Sequence, residues 1–354
     1  MDAAAQRLAL GALLCTDPTY VSRVRACGVR FAIRLAEAAV TFPSLMTLVC
    51  CIVGWVAIAP ERAAAQGGEA PAVQVQMRHV DFHLDSTVVL HIQRLRGMLH
   101  RRKPDEPPLL DDKNSFTLAI DSARIGITAP ALTALLNRYT FAYPGSPLRR
   151  LRVTIEHGQI RQEGTLHGVS FSVLGDLTLT PEGDLRLHPT SIKAAGVKVG
   201  GLMKFFGIHL QKLVNTEHAK GVRIEKDDFL LSPTELLPPP RVEGRVTEIT
   251  VADSEIVQVF TPQDGEPAPA LTLPRDAENY MFFRNGTLRF GKLTMRDTDL
   301  LIVDAEPSNP FDFFLDHYNE QLVAGYSRNT LDHGLIVMMP DYAKVVERQK
   351  ASPR

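Results

Sequence analysis

Apolar and polar residues alternate along much of the chain after residue 72. The stretches VQVQMRHVDFHL (73–84), LRVTIEHGQI (151–160) and VSFSVLGDLTLT (169–180) show this two-residue period, and Gly, Asp and Pro residues separate them. Side chains on a β-strand point alternately to the two faces of a sheet, so this period is typical of strands with one buried face. The pattern therefore predicts an antiparallel sheet with one dry face.

Two segments show helical spacing instead. APALTALLNRYTF begins at Ala129 and GGLMKFFGIHLQKLVN begins at Gly200. In the second segment, apolar residues recur at roughly helical intervals and leave Lys204, Gln211 and Lys212 for solvent. The sequence therefore predicts an α+β fold, in which a curved antiparallel sheet is wrapped on one or two amphipathic helices and a second β-rich unit follows.

Proline and charge cluster at 100–114, 238–240 and 261–276, where the alternation stops. Such clusters are typical of loops and linkers, and we interpret the second as a domain boundary and the third as a long loop. The predicted division is a basic N-terminal extension at 1–44, a signal peptide or signal anchor at 45–65, a lipid-binding-like α+β domain at 73–237, a second β-rich unit at 241–340 and a flexible tail at 341–354.

An internal similarity links two segments of the second unit. ITVADSEIVQVF (249–260) and LTMRDTDLLIVD (293–304) share a Thr, an Asp and a Val, and looser versions occur at 84–92 and 119–127. The shared pattern predicts a strand, a turn or bulge at Asp-Ser/Thr, and another strand, because Asp and Ser/Thr side chains accept hydrogen bonds from nearby backbone N–H groups. Chance similarity among β-rich segments remains the alternative.

The N-terminal region indicates export. All four cysteines lie within the first 51 residues, and Leu45–Ala59 contains no charge and precedes an A-x-A site at Ala63–Ala65. This length suits the apolar region of a secretory signal, and we expect the rest of the chain in the periplasm or on the outer face of the inner membrane of a bacterial envelope. Either translation starts near Met46, or 1–44 is the basic flank of a signal anchor.

Composition and motifs argue against several classes of function. The formal net charge is -1, so there is no global basic field and we expect no nucleic-acid partner. The chain contains no G-x-S-x-G nucleophile elbow and no glycine loop with the spacing and lysine that hold phosphates, and Cys51 is its last cysteine. We therefore expect no catalysis and no cofactor.

His79, Asp81, His83 and Asp85 recur at every second position, as metal ligands on one strand face would. Alternate side chains on a strand are about 6.5 to 7 Å apart, whereas zinc ligands converge to about 2.0 to 2.2 Å from the ion. Such a row supplies at most two ligands to one ion. We therefore predict a solvated, metal-free face, with a dry opposite face that carries Val80, Phe82 and Leu84.

Four segments between about Ser115 and Pro240 follow one another in the order IDSARIGITAPALTALLN, LRVTIEHGQIRQEGTLHGVSFSVLGDLTLTPEGDLRL, AAGVKVGGLMKFFGIHLQKLV and GVRIEKDDFLLSP. This arrangement resembles the LmeA-like phospholipid-binding family, of the tubular lipid-binding (TULIP) type. The resemblance implies a helix, a meander of strands, a second helix and a final strand. The repeated strands at 245–304 are similar to those of AsmA-like envelope proteins. Both resemblances imply lipid handling, and neither supplies a catalytic residue.

We therefore expect an exported envelope protein that binds or carries a phospholipid or another acyl lipid in an apolar groove, with possible membrane association and no catalysis. The same apolar stripes would also suit a filled core. The candidate lipid-binding residues are Val80, Phe82, Leu84, Leu202, Phe205, Phe206, Leu210 and Leu213. One alternative is a structural or assembly factor that binds a partner protein through its β-rich C-terminal unit. Another is a metal-dependent hydrolase that uses His79 and His83.

Overall fold

The computed structural model of the protein describes residues 71–198, 218–262 and 265–351. These residues belong to one compact unit, 65–354. About half of the described residues are in strands and about a tenth are in helices. The predicted α+β architecture, with a sheet wrapped on amphipathic helices, is therefore wrong, because the described chain is mostly β and its helices are short.

The strands are short to medium in length and are numbered here in chain order. They are β1 (Val73–His83), β2 (Val89–Arg101), β3 (Phe116–Thr128), β4 (Leu148–Glu156), β5 (Gln159–Leu166), β6 (Val169–Leu179), β7 (Leu185–Ala194), β8 (Val197–Lys198), β9 (Val222–Glu225), β10 (Asp228–Leu231), β11 (Arg241–Glu243), β12 (Val246–Val251), β13 (Glu255–Phe260), β14 (Tyr280–Arg284), β15 (Thr287–Phe290), β16 (Leu293–Arg296), β17 (Asp299–Asp304), β18 (Phe311–Phe314), β19 (Tyr326–Asn329) and β20 (Leu335–Met339).

Eleven of these strands form the large sheet. Its order is β12-β13-β3-β2-β1-β14-β17-β20-β19, and β11 and β18 pair in parallel with β3 and β1. Strands from 73–237 lie at its centre, and strands from 241–340 extend it on both sides. The break at 238–240 therefore does not separate two sheets.

The central strands of the large sheet shift their side-chain alternation by one residue. In β1, Val75 and Met77 are buried in the core before His79, and Val80 is buried in the same core after it. His79 has a left-handed backbone with φ of 49°, which accommodates the shift. The pairing of β2 with β3 slips at two places. Such irregularities bend strands and increase their twist, and here they keep one face apolar along the whole sheet.

The second sheet has seven strands in the order β4-β5-β6-β7-β10-β9, with β8 paired to β7, and β15 and β16 form a separate hairpin. Two large clusters of buried apolar side chains fill the described part of the unit. One cluster joins the large sheet, including β18, to β15 and the chain around Tyr318. The other joins the second sheet to β3, β13 and the first helix.

The helices are α1 (Ala129–Leu135), which continues into one π-helical turn (Leu136–Thr140), α2 (Tyr318–Ala324) and α3 (Tyr342–Ala351). The helix predicted from Ala129 is thus present, and the Thr128 hydroxyl caps it by accepting from the Ala131 N–H at 3.3 Å. The helix predicted from Gly200 lies outside the described residues. The expected flexible tail, 341–354, contains α3. No helix in the described ranges is long and apolar enough to cross a membrane.

Candidate functional site

An apolar cavity lies between the large sheet and the second sheet. The cavity has about 110 Å³ of space for the centres of water-sized molecules, within about 1430 Å³ of non-atom space that includes its opening to solvent. The large sheet lines the cavity mainly through β1, β2, β3, β13 and β14, and the second sheet lines it through β4, β5, β6, β7 and β10. Leu132, Leu135 and Leu136 of α1 and the π-helical turn complete the wall. The inward face of each sheet therefore supplies the lining, as the two-residue period of strands requires.

All but two of the lining side chains are apolar, and the two exceptions are Gln162 on β5 and Gln258 on β13. Several of the apolar residues, including Leu118 and Ile120 on β3, are only partly buried. Covering a partly uncovered apolar side chain with another apolar surface lowers the free energy of the system. The walls can therefore accept an apolar ligand.

Gln258 lies in the middle of an inward-facing row on β13. Ile256 and Phe260 flank it on the same face and belong to different core clusters. The residue is only 9% exposed. Its Oε1 atom is buried, and no donor in the described part of the chain hydrogen-bonds to it. Gln162, in contrast, is half-buried.

The structure brings together only part of the predicted lipid-binding set. Phe82 and Leu84 line the cavity. Val80, on the same face of β1, is 1% exposed and packs in the adjacent core cluster, so it supports the wall without lining it. The other five candidates, Leu202, Phe205, Phe206, Leu210 and Leu213, lie outside the described residues.

The face predicted to be solvated contains one buried member, Asp85, and that assignment was wrong for this residue. Asp85 follows β1 and closes the β1–β2 hairpin, where Oδ1 accepts from the Thr87 and Val88 N–H groups at 2.7 and 2.9 Å. Oδ2 accepts from the Tyr139 hydroxyl. Burial opposes ionisation, but these hydrogen bonds favour the carboxylate and lower the pKa of Asp85 to about 2. The carboxylate therefore ties the hairpin to the π-helical turn.

The histidines of the same row also differ from one another. His79 is exposed, whereas His83 Nε2 lies 2.6 Å from Asp312 Oδ1 and its Nδ1 is buried with no partner among the described residues. Burial raises the pKa of Asp81, although His91 and His83 oppose the rise. No three His, Cys, Asp or Glu side chains in the described ranges converge as metal ligands do. The geometry of this row therefore gives no support to a metal-dependent hydrolase.

A polar depression adjoins the cavity, and Leu237, Pro240 and Val242 line both. Its charged side chains are those of Arg102, Lys220, Glu235, Arg241 and Glu243. Lys220 Nζ donates to the Leu237 carbonyl at 3.1 Å, and Arg241 pairs with Glu243 at 3.0 Å. The apolar cavity thus continues into a surface of mixed charge.

Comparisons with protein-family models, with curated proteins and with solved structures find no match for this chain.

Sequence reasoning missed most of the cavity wall, including Leu118, Ile120 and Gln258. Ile120 lies in the segments that carry the loose repeat and the family resemblance, and Leu118 lies just before both. Gln258 lies in EIVQVF (255–260), where apolar residues occupy both alternating sets, so the period alone does not show which face carries the glutamine. A single polar residue in an otherwise apolar row was the available signal.

Proposed function

We propose that this protein binds or carries a lipid, or another ligand with long apolar chains, in the cavity between its two sheets, without catalysing a reaction. The observation that supports the proposal is a cavity between two sheets with a lining that is apolar except for two glutamines. A catalytic site would need a set of polar groups directed at a reacting atom. The lining instead offers apolar contact.

The energetics favour chains over compact polar ligands. Each methylene group that moves from water into the cavity contributes about 0.8 kcal/mol. A chain of ten methylene groups would therefore gain roughly 8 kcal/mol before the entropic cost of binding is subtracted. The adjoining depression is lined by Arg102 and Lys220. It suits the polar end of such a ligand because the charged groups of the depression remain in water.

We also propose that the protein acts in the bacterial cell envelope, outside the cytoplasm. The support is the uncharged stretch Leu45–Ala59 and its cleavage-like site, both of which lie outside the described residues. A reporter enzyme that is active only after export, fused after Gly68, would test this. Activity of a cytoplasmic reporter at the same position, with no activity of the exported one, would contradict the localisation and leave the ligand proposal untouched.

The ligand proposal is tested by replacing one residue of the cavity wall with a larger side chain. Leu118 lines the cavity, and its neighbour on β2 is Leu99, whereas the adjacent pair Met98 and Ala119 points to the other face of the sheet. Leu118→Trp should occupy ligand space, and Met98→Trp, at a position 40% exposed, should not. Lipid extraction and native mass spectrometry of both purified variants would measure the bound ligand.

We expect the wild-type protein and Met98→Trp to retain lipid and Leu118→Trp to lose most of it while remaining folded. Circular dichroism of each variant provides the folding control. Bound lipid should also raise the thermal unfolding temperature of the wild type, because a ligand that binds only the folded state stabilises it. A wild-type protein that holds no lipid and takes up none from labelled vesicles would contradict the proposal.

One observation favours the alternative, a scaffold that binds a partner protein. Val323, Tyr326 and Leu331 are 77%, 49% and 100% exposed around β19, which is last in the order of the large sheet. An exposed edge strand can pair with an extended segment of a partner protein. A photo-crosslinker placed at Leu331, compared with one at Met98, would test this. A discrete protein adduct at Leu331 alone would support the scaffold function.

A further inference from the structure

The inward row of β13 contains a residue that apolar binding does not require. Ile256, Gln258 and Phe260 face the cavity in succession, so an aliphatic side chain would continue the row. A buried amide that lacks partners lowers stability, whereas an aliphatic residue of similar size does not. The glutamine therefore needs an explanation of its own.

Two other buried glutamines, Gln76 and Gln321, have hydrogen-bond partners within the protein. Gln76 donates to the Tyr280 hydroxyl at 2.6 Å and accepts from the Leu271 N–H at 2.8 Å. Gln321 accepts from the Phe314 N–H and donates to two backbone carbonyls. In both, the amide oxygen and nitrogen are satisfied within the protein. Gln258 Oε1 has no such donor among the described residues.

We propose that Gln258 is a ligand-binding residue whose Oε1 accepts a hydrogen bond from a hydroxyl group of a chain-like apolar ligand. This inference rests on the proposed function, since it identifies the ligand class of the same cavity. Oε1 requires a donor and Nε2 can itself donate, so a hydroxyl group, which both donates and accepts, can pair with either atom, whereas an ester or ether can only accept from Nε2.

The position of Gln258 makes it a stronger candidate than Gln162. The amide of Gln258 is almost wholly removed from solvent, so its oxygen has no access to bulk water. Gln162 is half-buried, so its amide can hydrogen-bond to water when no ligand is bound, at little cost in free energy. A hydrogen bond at Gln258 would thus discriminate between ligands, because a ligand without a donor leaves the buried oxygen unsatisfied.

The test compares ligands that have the same number of non-hydrogen atoms and differ in one group: dodecanol, methyl undecyl ether and tridecane. Each would displace a fluorescent apolar probe, N-phenylnaphthylamine, from the purified full-length protein. The wild type should bind dodecanol about tenfold more tightly than the ether, as one buried hydrogen bond predicts. In Gln258→Leu this preference should disappear, and binding of tridecane should be unchanged or tighter.

Gln93→Leu is the matched control, because Gln93 on β2 is exposed and does not line the cavity, and it should retain the preference of the wild type for dodecanol. Equal affinity for dodecanol and the ether in the wild type would overturn the inference without touching the proposed function, and that comparison requires no variant to fold. A preference that survives in Gln258→Leu, or that favours the ether, would also overturn it. If none of the three ligands displaces a bound probe, or the probe does not bind, both the inference and the proposed function fail.

Discussion

The protein contains a closed region and an open region built from the same sheet. In the closed region an aromatic block, defined as Phe290, Phe311, Phe313 and Tyr318, packs ring against ring with centroids 4.8 to 6.2 Å apart, and only Phe313 among the four also borders the cavity. These side chains are at most 3% exposed. In the open region the walls of the cavity include partly buried residues such as Leu118 and Ile120. The difference indicates that the segments packed on the inner face of the sheet, rather than the sheet itself, decide which part of that face lies in a filled core.

Two glutamines show the same difference for polar groups. Gln321, beside the aromatic block, is 0% exposed and has three hydrogen bonds to backbone groups at 2.8 to 3.0 Å. Gln258, in the cavity wall, has a buried oxygen without a protein donor in the described ranges. A filled core satisfies its polar groups internally, and a binding cavity can leave one for its ligand. The comparison leads to four predictions.

Phe311→Ala should have the largest effect. Phe311 is 0% exposed and contacts Phe313 in the aromatic block, so its removal leaves a cavity and should cost about 3 to 5 kcal/mol of unfolding free energy. Leu118→Ala, in the cavity wall, should cost only about 1 kcal/mol because its side chain is partly uncovered. Urea denaturation measures both. Equal losses would show that the cavity wall is packed as tightly as the block.

Gln321→Leu should cost about 2 to 4 kcal/mol, because it leaves the Phe314 N–H and the Asp312 and Pro340 carbonyls without their partner. Gln258→Leu should leave the ligand-free protein unchanged or raise its stability by up to about 1 kcal/mol, since it removes an unsatisfied oxygen. The measurement is urea denaturation of delipidated protein. A large loss in Gln258→Leu would indicate that its amide has a structural role.

Asp85 should make the stability of the wild type depend on pH, because it fastens the β1–β2 hairpin to the turn that carries Tyr139 beside the cavity. Its pKa is about 2 in the folded protein and 3.8 without the fold. The carboxylate therefore contributes about 2 kcal/mol above its unfolded pKa, and this contribution is lost as the pH falls through about 2. Asp85→Asn should lack this part of the pH dependence. Parallel curves for the two proteins, from about pH 5 down to about pH 2, would contradict the assignment.

The smallest effect is expected at His79. The part of β1 before this residue pairs with β14, and the part after it pairs with β18. The φ of 49° at His79 is left-handed, a conformation that glycine adopts without strain. His79→Gly should therefore change the unfolding free energy by less than about 1 kcal/mol. His79→Val should cost about 1 to 2 kcal/mol, because a β-branched residue is strained there. Equal stability of the two variants, measured by thermal unfolding, would show that the left-handed residue is not needed.

Several local features of the fold follow from the sequence. The stretch 73–84 is β1 with one additional residue, and 169–180 is β6 with one additional residue. The stretch 151–160, which reads as one strand, instead turns at His157 and Gly158, both left-handed, and joins β4 to β5. The hydrogen bonds predicted at Asp-Ser/Thr are present at Asp85, but the described residues show none from a nearby backbone N–H to Asp253 or Asp297, in the two principal copies of the repeat. These features are local, since each depends on a few neighbouring residues.

The candidate site was less accessible to sequence reasoning. Two of the three residues predicted in and just after β1, Phe82 and Leu84, line the cavity because alternation is a local property. The α+β architecture was wrong because helical spacing does not show how much of the fold a helix makes up, and α1 has only seven residues. The resemblance to lipid-binding families stays a prediction. Whether apolar stripes meet a facing sheet closely or at a distance depends on residues far apart in the chain.

The sequence by itself determined strands such as β1 and β6, the Asp85 turn and the dry face of β1, because side-chain alternation and hydrogen bonding between near neighbours are set by local covalent geometry. Only the tertiary structure decided that strands from 73–237 and 241–340 share one sheet and that a second sheet faces it. The tertiary structure also turned Gln258 inward without a donor for its oxygen among the described residues. The physical reason is that pairing and packing join residues distant in sequence, and an apolar row stabilises a filled core and a cavity wall by the same effect.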